Sequence, residues 1–189
     1  EIHPTAVLDV ATGTGDLAIA LTEIKGAKIT GLDISEGMLS VGREKVAKRN
    51  LADRITLVQG DSEQLPFADE TFDAVTVGFG VRNFEDLEKG LSEIRRVLKP
   101  NGRLVVLETS VPEKFPFRQG YHLYTNYVMP LVGKLFSKDR SAYRYLSNSA
   151  IHFPYGKKFQ EILNKVGYQQ TKYYPKTLGG VATIYIANK

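Results

Sequence analysis

Residues 6–20 read AVLDVATGTGDLAIA. An apolar run stops at a turn with two glycines, and a helix-forming stretch, LAIALTEI over 17–24, follows. A short continuous apolar run reads as a strand buried on both faces. Gly13 and Gly15 let the backbone turn sharply and leave it open to close approach. A strand, a glycine turn and a helix in that order have few homes. The helix must cross back over a sheet and feed a parallel neighbour.

The rest of the chain keeps the same rhythm. KITGLD is a second strand, and SEGMLSVGREKVAKRN a helix with Ser35 as N-cap and Asn50 as stop. RITLVQGD and DAVTVGF are the third and fourth strands. Residues 85–98 form a helix whose Leu87, Leu91, Ile94 and Leu98 share one face. KPNGR is a turn, and LVVLET a fifth strand. KKFQEILNKVGY is a helix ending at Gly167. YQQTKYYP and GGVATIYIANK are extended segments that should pair antiparallel at one edge. The expected fold is α/β: a doubly wound, Rossmann-like sheet with helices on both faces. One domain spans 1–189, with a cofactor-binding half at 1–110, an insert at 111–155 and a C-terminal helix with strands at 156–189.

Composition sets limits. The chain has no cysteine, which excludes disulfides and thiol catalysis and fits a reducing, cytoplasmic compartment. The three histidines lie far apart, without metal-ligand spacing, so no metal is expected. No apolar run reaches the roughly 18 residues of a spanning helix. The net charge of +4 is weak evidence for nucleic acid.

Three successive strand ends carry polar groups. GTG follows the first strand and offers free N–H groups at a helix start. Asp33 closes the second strand, where a carboxylate can accept both ribose hydroxyls. Asp61, with Ser62 beside it, ends the third and suits an adenine amino group. Each residue also has a plainer role, as a turn or as a charge at a helix start. Asp9, Asp16, Asp33 and Asp61 crowd one pocket, and residues 9–24 hold no Lys or Arg. A pyrophosphate would be repelled there, whereas a sulfonium nucleoside would be attracted. That favours S-adenosylmethionine over a dinucleotide.

VLDVATGTGD, GLDIS, GDSEQLPF, FDAVTVGFGVRNF and LSEIRRVLKPNGRLVVLE follow one another at the spacing of class I S-adenosylmethionine-dependent methyltransferases. GFGVRNF and the LSEIRRVLKPNGRLVVLE segment resemble the ubiquinone/menaquinone biosynthesis C-methyltransferase family more specifically, over essentially the whole chain. The resemblance implies a seven-stranded sheet with only the last strand antiparallel. It implies cofactor contacts at Gly13, Thr14, Gly15, Asp33, Asp61, Ser62 and Gly78, to which the residues' own pattern adds Asp9 beside the pocket. It also implies a helical segment ahead of the first strand, of which only five residues stand here before Ala6.

The fourth strand end, VGFGVRNF, faces the methionine half of such a cofactor and the acceptor. Gly78 and Gly80 would keep that space open, and Phe79 would present a flat wall to an aromatic ring. The Asp/Asn-Pro-Pro-Tyr/Phe acceptor set of base and glutamine N-methyltransferases is missing. Arg82 and Asn83 are the expected catalytic pair, the cation stabilising a ring oxyanion and the amide orienting the ring. The alternative is a structural salt bridge for Arg82 and a helix cap for Asn83.

Residues 115–145 hold eight of the nineteen aromatics, with five basic residues and one acid. They read as a helical, aromatic-rich insert, either a packed cap or a quinone and isoprenoid pocket using Tyr121 and Tyr124. Its basic rim would touch anionic lipid, placing the protein peripherally at the inner membrane surface. The expected reaction is methyl transfer from S-adenosylmethionine to a polyprenyl quinol ring, demethylmenaquinol to menaquinol. The other readings are a methoxy-polyprenyl-benzoquinol acceptor, an RNA methyltransferase stacking bases on the same aromatics, and a dehydrogenase using only the glycine turn. No nucleic-acid partner is expected, and a homodimer is allowed.

Overall fold

The computed structural model of the chain describes residues 3–112, 115–123, 153–176 and 180–189. Its strands are β1 (Ala6–Val10), β2 (Lys28–Asp33), β3 (Ile55–Gln59), β4 (Phe72–Gly78), β5 (Leu98–Thr109), β6 (Gln169–Lys176) and β7 (Ala182–Asn188). They make a seven-stranded sheet in the order β3-β2-β1-β4-β5-β7-β6. The pairs from β3 through to β5 are parallel. β7 runs antiparallel to both β5 and β6, as the C-terminal segments suggested. It lies inside the sheet, with β6 outside it as the exposed edge.

The described helices are α1 (Asp16–Ala20), α2 (Glu36–Lys48), α3 (Leu87–Val97), α4 (Phe117–Leu123) and α5 (Lys157–Val166). Local chemistry sets several ends. The Ser35 hydroxyl accepts the Met38 N–H and caps α2. Gly167, at φ 101°, closes α5 in the left-handed region.

Buried side chains sort onto the two faces of the sheet. Val7, Ile29 and Ala74 pack with Ala18, Ile19 and Val46 of α1 and α2. Leu8, Val75 and Val77 pack with Leu91 and Ile94 of α3 and Phe159 and Leu163 of α5. Two-residue alternation along β1 and β4 produces this split. It also puts Asp9 and Thr76, which are register partners, side by side on the α1/α2 face.

Two elements differ from the sequence expectation. The helix expected over 17–24 stops at Ala20 and tightens into a 3-10 turn, Leu21–Glu23. Past that turn the Arg54 guanidinium holds the connection to β2, donating to Ile24 O at 3.0 Å and Ala27 O at 2.7 Å. The turn expected at KPNGR lies within β5, as a bulge between the pairs Phe72–Leu98 and Ala74–Arg103. Asn101 adopts φ 63° there, and a Cβ on Gly102 would meet Lys99 O at 2.7 Å.

Phe159 of α5 is fully buried. Its ring meets Tyr185 of β7 edge-on at 4.7 Å and Phe153 at 5.0 Å. Phe159→Ala is expected to cost about 3–5 kcal/mol in denaturant unfolding, because the cavity lies between helix and sheet.

Candidate active site

The carboxyl ends of β1, β2 and β3 converge on a cleft lined by Ala11, Asp33, Ile34, Asp61, Ser62 and Asn83, among others. Asp33 is its fixed point. Its Oδ2 accepts the Gly13 N–H at 2.8 Å, and its Oδ1 accepts the Ser35 N–H at 2.9 Å. One carboxylate thus ties the glycine turn to the start of α2. Each oxygen keeps a further lone pair, an acceptor for each hydroxyl of a ribose diol. Asp61 is braced by the Glu63 N–H at 2.8 Å and lines the cleft with Ser62.

The glycine turn depends on backbone freedom. Gly13 and Gly15 sit at φ 57° and 76°. Thr14 donates to Asp16 at 2.8 Å and accepts from Lys45 at 2.7 Å. Lys45 also donates to Asp16 itself, holding that carboxyl below its ordinary range. The stretch 9–24 has no cation of its own, but α2 delivers this one and Asp16 consumes it.

Asp9 does not line the cleft. It is fully buried beneath the turn, accepting Thr12 Oγ1 at 2.6 Å and Thr76 Oγ1 at 2.7 Å. Burial raises its pKa to about 6, against the opposing pull of those two hydroxyls.

At the end of β4, Gly80 lines the cleft and has a packing task besides. A Cβ there would meet Ala11 Cβ at 2.5 Å, so glycine lets the β1 and β4 termini touch. A Cβ on Gly78 would meet Leu17 at 3.0 Å. Phe79 follows with φ 56° and its side chain 43% exposed. An exposed aromatic in that backbone region is strained, and such strain gathers at functional sites.

Arg82 and Asn83 occupy a 3-10 turn, Val81–Asn83. The Arg82 side chain is nearly buried and forms the salt bridge weighed as its alternative role, with Glu108 of β5. Asn83 does not cap α3: Asp86 does, its carboxylate accepting the Lys89 N–H at 3.0 Å. Asn83 instead lines the cleft. Tyr121 and Tyr124, expected at the acceptor, lie outside the residues whose side chains are described. Among the described residues no three His, Asp or Glu are grouped to hold a metal.

Three residues at the site carried no sequence signal of their own. Ile34 is 70% exposed on the cleft wall, an apolar face beside Asp33. Glu108 is fully buried opposite Arg82. Arg96 holds the wall after β3, donating to Leu65 O, Phe67 O, Asp69 and Glu93.

A parallel sheet with one antiparallel strand set inside its edge, and acids at successive strand ends, is the class I methyltransferase architecture. Residues 1–189 match the ubiE/COQ5 methyltransferase family, and the chain belongs to it. It is 49% identical over 188 residues to the demethylmenaquinone methyltransferase of Bacteroides fragilis, covering 99% of this chain and 76% of that protein. It is 47% identical over 184 residues to the demethylmenaquinone methyltransferase of Bacillus subtilis, covering 96% and 78%. It is 45% identical over 185 residues to the ubiquinone/menaquinone biosynthesis C-methyltransferase UbiE of Geotalea daltonii, covering 97% and 78%. Among solved structures, a SAM-dependent methyltransferase from Aquifex aeolicus aligns with a TM-score of 0.66 at 21% identity, covering 97% of this chain and 81% of that one. A phosphoethanolamine N-methyltransferase from Haemonchus contortus, in complex with S-adenosyl-L-methionine, aligns with a TM-score of 0.72 at 18% identity, covering 98% and 48%. These two likenesses are of fold.

The buried Asp9 gives a pH signature. Its folded pKa of about 6 stands above the ordinary 3.8, so the native state holds the proton longer than the unfolded chain. Ionising Asp9 therefore destabilises the fold progressively as pH rises between those values. Asp9→Asn, measured against the parent by denaturant titration, should gain on the order of 3 kcal/mol between pH 4 and pH 6.5 and nothing further above.

Proposed function

We propose that this chain is an S-adenosylmethionine-dependent C-methyltransferase that converts demethylmenaquinol to menaquinol. The observation that carries the reading is the joining of an acidic nucleoside cleft to the β4 end GFGVRNF, which offers an arginine and an amide and no amine-binding set. The names of the Bacteroides and Bacillus relatives support this acceptor. The relative from Geotalea, named for both quinones, supports a methoxy-polyprenyl-benzoquinol as the second acceptor.

The cleft fits the cofactor by its donor set. Asp33 would hold the ribose hydroxyls and Asp61 and Ser62 the adenine edge, while the Gly13 and Gly15 N–H groups are taken within the protein by Asp33 and the Thr12 carbonyl. Ile34 would cover one face of the base. When bound, S-adenosylmethionine supplies a methyl group on a sulfonium, already activated for transfer. The chain's own residues then position, exclude water and manage charge. Phe79 would flank the acceptor ring, Asn83 orient its oxygen, and Arg82 stabilise charge developing on that oxygen.

A prenylated acceptor dwells in lipid. Phe115 and Leu123, 80% and 62% exposed, flank Arg118 around α4 and support transient contact with an anionic membrane surface. No described helix is long and apolar enough to cross a membrane.

Calorimetry tests the cofactor first. The parent should bind S-adenosylmethionine and S-adenosylhomocysteine, and Asp33→Ala should lower both affinities by roughly 100-fold or more, since two hydroxyl contacts and the glycine turn depend on it. No binding by the parent would sink the reading. Methyl transfer to demethylmenaquinol, compared with the benzoquinol, separates the two acceptors.

A further inference from the structure

Glu108 sits near the end of β5 and is fully buried. Its neighbour Leu107 pairs with Gly78, so Glu108 lies where β4 opens into the turn carrying Arg82. It reaches that turn twice. Oε1 accepts Arg82 Nη1, and Oε2 accepts the Arg82 backbone N–H at 3.4 Å. Oε1 also accepts the Thr109 N–H at 2.7 Å and the Thr109 hydroxyl at 3.1 Å.

The Arg82 side chain is 9% exposed, yet its donors are not all used. Nε is buried and has no acceptor among the described residues. A structural arginine–carboxylate pair commonly closes fork to fork, with two guanidinium N–H groups on two oxygens. Here the second oxygen is given to the Arg82 backbone instead. One contact fixes the turn, the other fixes the guanidinium plane, and Nε is left over. A buried donor without an acceptor calls for a group that completes it. The residue after Arg82, Asn83, lines the cleft. The Glu108 charge also offsets that of Arg82, so a neutral, apolar ring can approach a hydrogen-bond donor without meeting a bare buried cation.

We propose that Glu108 is a positioning residue for methyl transfer, holding Arg82 so that its Nε–H is presented to an oxygen of the acceptor ring. The inference rests on the quinol reading for the identity of that acceptor. It makes Arg82 a donor whose hydrogen bond strengthens as charge develops on the ring oxygen. Glu108 itself touches neither acceptor nor cofactor.

The test uses the whole chain saturated with S-adenosylhomocysteine, and 1-naphthol as a phenol probe free of quinone redox chemistry. Arg82 Nε–H is followed by nitrogen-15 NMR, with Arg82→Lys to assign it, and naphthol binding is followed by calorimetry. The Nε–H resonance should move as naphthol is added. Glu108→Asp keeps the charge but withdraws it by one methylene. It should weaken naphthol binding roughly tenfold or more and abolish the shift, leaving S-adenosylhomocysteine affinity within about twofold. With demethylmenaquinol, the same variant should lower kcat without changing KM for S-adenosylmethionine. An Nε–H in the parent that ignores naphthol overturns the proposal, and that measurement needs no variant to fold. A Glu108→Asp protein that loses both affinities together marks a purely structural pair and overturns it as well. A parent that shows the Nε response yet methylates no quinol sinks the acceptor assignment and leaves Glu108 in its place.

Discussion

The Asp33 carboxylate is the contact on which the cleft depends. The loop after β1, the start of α2 and the end of β2 all meet it. Its own carbonyl accepts the Gly60 N–H at 3.0 Å and so ties in the end of β3. Backbone donors at loop starts have no partner within a helix or strand, and burying them bare is costly. One side chain satisfies two of them and still keeps lone pairs toward the cleft. Holding the fold and holding a ribose are therefore the same arrangement of atoms. A substitution at Asp33 loosens the glycine turn even where no ligand is considered.

Charge is handled the same way elsewhere. Lys45 enters the glycine turn and spends its charge on Asp16. Arg82 enters the β4 terminus and meets Glu108. Arg96 gathers Glu93, Asp69 and two carbonyls behind the wall that carries Asp61. Each of these three cations is matched by an acid. The cleft keeps the carboxylates Asp33 and Asp61, which no cation among the described residues pairs with and whose polarity suits a cationic nucleoside.

The sequence was most legible where structure is decided by neighbours. β2 runs over KITGLD as read, and Ser35 caps α2 because a hydroxyl at that position can reach the Met38 N–H. The buried face of α3 followed from the spacing of Leu91 and Ile94, and β6 and β7 pair antiparallel as their short separation required. Legibility ended where a distant partner decides. Arg54 holds the connection after α1 from about 30 residues away. Whether Arg82 is a catalytic cation or one arm of a salt bridge stayed open, because its partner Glu108 stands 26 residues later in the fifth strand. Asp9 read as a cleft residue because nothing local reveals that Thr76, 67 residues on, takes its second oxygen. The strand ends holding Gly13, Asp33 and Asp61 were visible, and how their side chains share donors was not.

The place of β7 has a consequence for how the chain is made. β6 precedes β7 in sequence but pairs with β7 alone, and the free edge of β5 is covered by β7. A nascent chain can therefore assemble β1 to β5 early, through parallel crossovers, while β6 waits with nothing to pair with. Until residues 182–188 emerge, β5 shows a row of unpaired N–H and C=O groups, the surface on which strands of other chains dock. The arrival of β7 then closes two gaps at once, sealing β5 and recruiting β6. Assembly of this half of the sheet therefore waits on a strand that follows, in sequence, the one it must hold at the edge.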